Sequence, residues 1–262
     1  MPATALFDQL AEVRARLNAA EHLLLGLDYD GTLTPLVNDP DQARLAPEVR
    51  RELERLAATP GVTVAIVSGR ALDDLRKHVD VAGLHYAGNH GLDIAGPGRR
   101  YIESDAVATL DRLGHLAHHL SRELDAVTGA RVEHKALTLS VHYRNVASDR
   151  RDDLRRRVEE VVAREYGDLR LSGGHEVLEV RPPSSWHKGA ALCWIRDHLG
   201  GPPPLTCFIG DDRTDEDAFR TLKDAVTVKV GEPHDTAATY HVPSPADVHR
   251  FLSCLKCDRA VA

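Results

Sequence analysis

The sequence predicts an α/β protein: a doubly wound, Rossmann-like parallel-sheet core interrupted by a smaller inserted α+β cap. Three observations point there. Short apolar runs recur at Leu23–Leu27, Val62–Val67 and Leu205–Ile209, each closed by a Gly-containing turn, as strands buried on both faces require. Stretches with helical spacing stand between such runs, the alternation from which parallel crossover units are built. The middle of the chain has a different rhythm, with two long helical patterns and strands that alternate apolar and polar residues.

Taken in order, MPATALFDQLAEVRARL reads as an amphipathic helix. A strand follows at Leu23–Leu27, a helix near Pro47–Ala58, a strand at Val62–Val67, a helix at Leu72–His78 and a strand near Leu84–Ala87. The middle stretch opens with a long helix pattern from about Asp105 to Ala126. ARVEHKALTLSVHYR follows, a half-buried strand in which Leu137, Leu139 and Val141 alternate with polar neighbours. A second helix pattern covers about Ser148–Tyr166, and HEVLEVRP is a short strand. Helices over one face of a small antiparallel sheet fit this set. Strand–helix alternation then returns, with a helix at Ala190–Leu199, a strand at Leu205–Ile209 and a last short strand at Thr227–Val230. The expected division is therefore 1–102 with 184–262 as the core and 103–183 as the cap.

Composition narrows the function classes. A chain of 262 residues is long enough for one large domain and a smaller insert. Its 42% hydrophobic and 28% charged residues are ordinary for a soluble protein. A formal net charge of −7 argues against nucleic acid as a partner, and no apolar stretch approaches the length of a membrane span. The N-terminal segment lacks the apolar centre of a signal peptide, so a cytoplasmic location is expected. Cys193 and Cys207 sit in apolar segments as core residues. Cys254 and Cys257 form a C-x-x-C with no second pair at ligand spacing. His115, His118 and His119 read as a solvated helix face. Nothing in the sequence speaks to protein partners.

The chemistry is carried by acids at strand ends. Asp28 and Asp30 follow the first apolar run in LDYDGTLT, where open α/β sheets place their ligands. An isolated D-x-D is most often a solvated turn. Two carboxylates this close, at the end of a buried strand, repel each other and need a cation or a proton. Ser68 closes the second run in SGR, where a hydroxyl beside a glycine can donate to a phosphoryl oxygen; Arg70 follows it as a candidate for binding the substrate. Lys188, in SSWHKGAAL, stands at a helix start, where a cation opposes the helix dipole. The run Leu205–Ile209 opens into GDDRTDED, which places Asp211, Asp212, Asp215, Glu216 and Asp217 within seven positions. The last three of these acids also suit a first helical turn.

Together the segments DxDGT, SGR, K-G and GDDxxxD resemble, in order, the motifs of the haloacid dehalogenase superfamily of aspartyl phosphatases, over roughly Leu23 to Phe219. GDDRTDEDAF, VEHKALTLSVHYR and GGHEVLEVRP resemble more narrowly the trehalose-6-phosphate phosphatases. The resemblance implies a hydrolase core that acts on a small-molecule sugar phosphate with Mg²⁺. Asp28 would be the nucleophile and Asp30 the general acid and base. The metal would be held by Asp28, the main-chain carbonyl of Asp30 and Asp211, with Asp212 or Asp215 close behind. Lys188, Ser68 and the backbone near Thr32 would neutralise phosphoryl charge, and Glu133, Lys135, Arg144 and Glu179 of the cap would contact sugar hydroxyls. Asn89 and His90, in AGNHG, would line the same cleft, although N-H-G is also common turn chemistry. Two positions depart from the family pattern: Ala136 where glycine is expected and Asp93 where glutamate is expected. The expected activity is release of trehalose from trehalose 6-phosphate. The alternatives are a phosphatase for another glycosyl phosphate, such as mannosyl-3-phosphoglycerate or sucrose 6-phosphate, or a catalytically silent sugar-phosphate sensor.

Overall fold

The structure, a computed structural model, describes residues 2–37, 40–173 and 176–255. The chain divides into two compact units, one formed by residues up to Tyr101 together with those from Trp186 on, the other by Ile102–Ser185.

The elements of the first unit before the division are β1 (Thr4–Ala5), α1 (Leu10–Ala19), β2 (Leu23–Leu27), α2 (Pro47–Ala57), β3 (Val62–Val67), α3 (Leu72–Val79), β4 (His85–Gly88), β5 (Asp93–Gly96) and β6 (Arg99–Ile102). The second unit holds α4 (Ser104–Ala108), α5 (Leu110–Glu123), β7 (Arg131–His134), β8 (Leu139–His142), α6 (Ser148–Glu165), β9 (Arg170–Gly173) and β10 (Val177–Arg181). The first unit resumes with α7 (Lys188–Asp197), β11 (Leu205–Gly210), α8 (Arg213–Thr221), β12 (Val226–Val230), β13 (Tyr240–Val242) and α9 (Pro245–Cys254).

The sheet of the first unit has the order β1-β13-β12-β11-β2-β3-β4-β5-β6. Its pairs are parallel from β1 to β4 and turn antiparallel at β4 and β5. β2 is the switch point. The next strand, β3, lies on one side of it and β11 on the other, which opens a crevice at the carboxyl ends of these strands. All five residues of β2 are buried, because helices cover both faces. Leu23, Leu25 and Leu27 share one cluster with Val13 and Leu17 of α1, Leu53 of α2, Leu75 of α3 and Phe251 of α9. Leu24 turns the other way, to Leu192 and Ile195 of α7 and Phe219 of α8.

The second unit is an antiparallel sheet, β7-β8-β10-β9. Leu139 and Val141 of β8 and Leu178 and Val180 of β10 pack with Leu113, Leu116 and Leu120 of α5 and Leu154 and Val158 of α6. The alternate residues form the polar face. Glu133, Ser140, Glu179 and Ser172 stand in one row across its four strands.

Several elements differ from expectation, each for a local reason. The N-terminal helix begins only at Leu10, because Thr4 and Ala5 pair with β13. The helix expected from Asp105 is broken at Thr109, where the Thr109 hydroxyl donates to the carbonyls of Asp105 and Ala106 at 3.1 Å each and competes with helical bonding. The single strand expected in ARVEHKALTLSVHYR is the hairpin of β7 and β8, turning over Lys135–Thr138. β5, β6 and β9 were not expected from the sequence. Cys254 closes α9, and Cys257 lies outside the described residues. No helix among the described residues is long and apolar enough to cross a membrane.

Candidate active site

The site is built where β2 and β11 end side by side. The Asp28 N–H still donates to the Ile209 carbonyl at 2.9 Å, so the carboxylate stands at the last ladder position of β2. The chain then turns tightly. Leu33 N and Thr34 N both donate to the Tyr29 carbonyl, at 2.9 and 3.0 Å. Gly31 is required twice over: its φ is +83°, and a Cβ there would stand 2.1 Å from Asp211 Oδ2. Thr32 Oγ1 donates to Asp211 Oδ1 at 3.0 Å and so ties this turn to the end of β11.

The five clustered acids after β11 separate into distinct roles. Asp212 caps α8, its side chain accepting from Arg213 N at 2.6 Å, within a capping box closed by Asp215. Asp215 is fully buried; its Oδ2 accepts from Asp211 N and Asp212 N at 3.0 and 2.9 Å. Glu216 accepts from Ala237 N at 2.8 Å, and the exposed Asp217 faces Arg220. Asp211 and Asp215 are left facing Asp28, and ligand oxygens of these three residues lie within 4.8 Å of one another.

Lys188 neutralises part of this charge. Its Nζ lies 2.9 Å from Asp28 Oδ1 and 2.8 Å from Asp215 Oδ1, and the side chain is buried. Burial disfavours the ammonium, but Asp215 and Asp28 outweigh it and hold the lysine well above its ordinary value. Burial drives the Asp28 carboxyl well up; Lys188 opposes this, while Asp215 and Asp211 add to it. Asp211 is pushed up to about 6, first by burial and then by Asp215, with Lys188 opposing. Lys229 of β12 donates to the Asp211 main-chain carbonyl. Three carboxylates surround one ammonium, and every potential ligand atom is oxygen, so the group fits a hard divalent cation, which would offset the charge that raises Asp28 and Asp211.

The trehalose-phosphatase family model matches residues 26–247, which include Asp28, Lys188 and Asp211. The chain belongs to the trehalose-phosphatase family. It is 37% identical to a trehalose 6-phosphate phosphatase of Zea mays over 93% of its own length and 73% of that protein's. It is also 37% identical to a probable trehalose-phosphate phosphatase of Arabidopsis thaliana, over 91% of this chain and 73% of the relative. Among solved structures it resembles a trehalose-6-phosphate phosphatase related protein, with a TM-score of 0.78 and 26% identity over 88% of this chain and 96% of that one.

In this trehalose-phosphatase chain, Asp30 is turned to Arg70. The guanidinium forks onto the carboxylate, Nε to Oδ2 and Nη2 to Oδ1 at 2.8 Å each. It also reaches Asp74 at 2.9 Å and the Pro40 carbonyl at 2.6 Å. Arg70, expected at the substrate, thus contacts the expected acid. Burial works against its charge, and the bond to Asp30 leads the contacts that raise it above its ordinary value. Ser68 is buried, and its Oγ accepts from Arg70 N at 3.2 Å. Asn89 and His90 are buried at positive φ, 49° and 58°. Their N–H groups donate to the Arg70 and Ser68 carbonyls at 2.7 and 2.8 Å, so this strained turn fixes the Ser68–Arg70 loop.

The polar sheet face of the second unit collects Glu133, Lys135 and Glu179. Lys135 Nζ lies 3.9 Å from Glu179 Oε1, and Arg181 lies 2.6 Å from Glu179 Oε2. Glu133 Oε2 is 2.7 Å from His142 Nε2. Burial raises the Glu133 carboxyl, but the bond from His142 and the charge of Lys135 prevail and bring it down to about 2. Arg144 pairs with Glu176 at 3.1 Å. The sequence reading missed His142, Lys229 and His187. A lysine inside the apolar run VTVKV was the available signal for Lys229, and the position before Lys188 at a helix start was the signal for His187.

Proposed function

We propose that the protein hydrolyses trehalose 6-phosphate to trehalose and phosphate, using Mg²⁺ and an aspartyl-phosphate on Asp28. The observation that supports this most is the placement of Asp28 at the end of β2, against Lys188 at 2.9 Å and within the Asp211–Asp215 oxygen group. A silent sensor has no use for a nucleophile held this way. Asp28, Asp211 and the main-chain carbonyl of Asp30 would hold the ion, with Asp215 fixing the Asp211 turn from behind. When bound, Mg²⁺ screens the carboxylate from its dianionic target and neutralises phosphoryl charge.

In this reading an Asp28 oxygen attacks phosphorus, the bond from phosphorus to the sugar oxygen breaks, and Asp30 delivers a proton to that oxygen. Asp30 must leave the Arg70 fork to do so. Water then attacks the phosphorus of the aspartyl-phosphate, Asp30 takes its proton, and phosphate departs with Asp28 restored. Lys188, the Ser68 hydroxyl and the N–H groups near Thr32 hold the equatorial oxygens. The first unit carries out the phosphoryl chemistry and the second, as the inserted cap, selects the sugar through Glu133, Lys135, Arg144 and Glu179.

Phosphate release over a panel containing trehalose 6-phosphate, sucrose 6-phosphate, mannosyl-3-phosphoglycerate, glucose 6-phosphate and an aryl phosphate, each with excess Mg²⁺, tests the reading. Trehalose 6-phosphate should be turned over best. Glu133→Ala, Lys135→Ala and Glu179→Ala should each lower kcat/KM for it by about ten- to a hundredfold while sparing the aryl ester. Equal turnover of glucose 6-phosphate, or equal damage to both substrate types, would refute sugar selection by the second unit.

A further inference from the structure

His187 is an unusual residue for the start of a helix, where Asn, Asp, Ser and Thr dominate. Its Nδ1 accepts the main-chain N–H of Gly189 at 3.1 Å and that of Ala190 at 3.4 Å, and so caps α7. Its Nε2 faces Thr221 Oγ1 of α8 at 3.4 Å. These contacts require the neutral imidazole with its proton on Nε2, because Nδ1 needs a free lone pair to accept. The first residue of the helix so capped is Lys188, whose Nζ is held between Asp28 and Asp215. The turn is tightly seated. A Cβ on Gly189 would stand 2.8 Å from Ala218 Cα of α8 and 3.0 Å from the His187 ring, so α7 starts directly against α8.

We propose that His187 is a positioning residue: its unprotonated Nδ1 fixes the first turn of α7 and thereby sets Lys188 between Asp28 and Asp215, and acid releases that hold. Protonation removes the acceptor and places a second cation beside Lys188 at the positive end of the helix dipole. Burial favours the neutral ring and lowers its proton affinity, while Asp217 of α8 is the charged group that opposes this. The other neighbouring charge, Lys188, is already committed to two carboxylates. Sequence chemistry alone thus makes the placement of the lysine acid-sensitive, a liability that an Asn or Asp at the same position would not carry.

The inference rests on Lys188 serving the phosphoryl group, and its test separates the two readings. The wild type, His187→Asn and His187→Ala are compared from about pH 5 to about pH 8, the range in which histidine titrates. One readout is kcat/KM for trehalose 6-phosphate and for an aryl phosphate; the other is the thermal midpoint of the metal-free protein. Asn accepts at any pH, so the ratio of wild-type to His187→Asn activity should fall by about tenfold as pH drops below the ordinary histidine value of about 6.5. The wild-type midpoint should fall more than that of His187→Asn over the same interval. His187→Ala should be about five- to tenfold less active than His187→Asn at every pH, the scale on which a lost cap weakens a helix turn, and should approach the wild type only in acid. A flat activity ratio with parallel midpoints would overturn the proposal, as would a fully active His187→Ala. If no variant hydrolyses a sugar phosphate, the function is wrong and the midpoints still decide the role of the cap. If His187→Ala does not fold, the comparison of wild type with His187→Asn decides alone.

Discussion

Arg70 grips Asp30 through two parallel bonds of 2.8 Å, one to each carboxylate oxygen. The same guanidinium holds Asp74 of α3 and lies 5.3 Å from the centre of the Tyr29 ring. The guanidinium is buried while Asp30 is partly exposed, and the two parallel bonds make the fork directional. Asp30 is thereby turned to Arg70, whereas Asp28, two residues before it, is turned to Lys188.

Arg70→Ala should lower kcat for trehalose 6-phosphate by about tenfold or more, on the scale of a lost charged hydrogen bond, roughly 1.5–3 kcal/mol. An aryl phosphate, whose leaving group needs little protonation, should suffer much less. Arg70→Lys should restore only part of the loss, since an ammonium cannot fork. Equal loss on both substrates would show that Arg70 acts on something other than the proton transfer by Asp30.

Asp28→Asn should abolish turnover without unfolding the protein. The metal-free variant should be at least as heat-stable as the wild type, because one of three mutually repelling carboxylates, itself buried, is gone. Mg²⁺ should raise the thermal midpoint of the wild type and raise that of Asp28→Asn much less. A variant that retained more than a few per cent of activity, with deamidation excluded, would defeat the covalent mechanism.

The pH dependence of metal binding follows from Asp211. In the metal-free protein its carboxyl is raised to about 6, whereas the unfolded chain holds an ordinary aspartate. A raised acid stabilises the fold fully below the unfolded value, and that contribution is lost as pH rises through about 6. The metal-free protein should accordingly lose stability between about pH 4 and about pH 6 through this group. Mg²⁺ competes with the proton, so its affinity, measured by thermal shift, should strengthen as pH rises across about 6. An affinity independent of pH over that range would contradict the site's electrostatics.

Ala136→Gly should stabilise the protein. Ala136 adopts φ +62° in the hairpin turn, where Lys135 N donates to the Thr138 carbonyl at 2.9 Å. A Cβ disfavours that region and glycine does not. Glycine also loses more freedom on folding, so the net gain should be about 0.5–1 kcal/mol, visible in a denaturation midpoint. A lower midpoint would mean that the Cβ makes contacts worth more than the strain it causes.

The sequence by itself determined β2 and β3 to the residue, the switch-point placement of Asp28 and the change of rhythm near residue 103, because each is written in a few adjacent residues: an apolar run, a turn glycine, a helical period. It also brought Asp28, Lys188 and Asp211 to attention as a set. Only the tertiary structure decided how side chains divide the work. Asp211 and Asp212 are neighbours of one residue type, yet one faces Asp28 and the other caps α8, because the helix begins between them. The contacts of Arg70, a candidate for binding substrate, with Asp30 and Asp74 came only from the fold. The β7–β8 hairpin read as one strand, since both arms share one alternation and only the pairing of Glu133 with Ser140 reveals the turn between them. Local periodicity is set by neighbours along the chain, whereas a side chain's partner is set by sheet order and register, which bring Lys188 of one element against Asp28 of another far away in sequence.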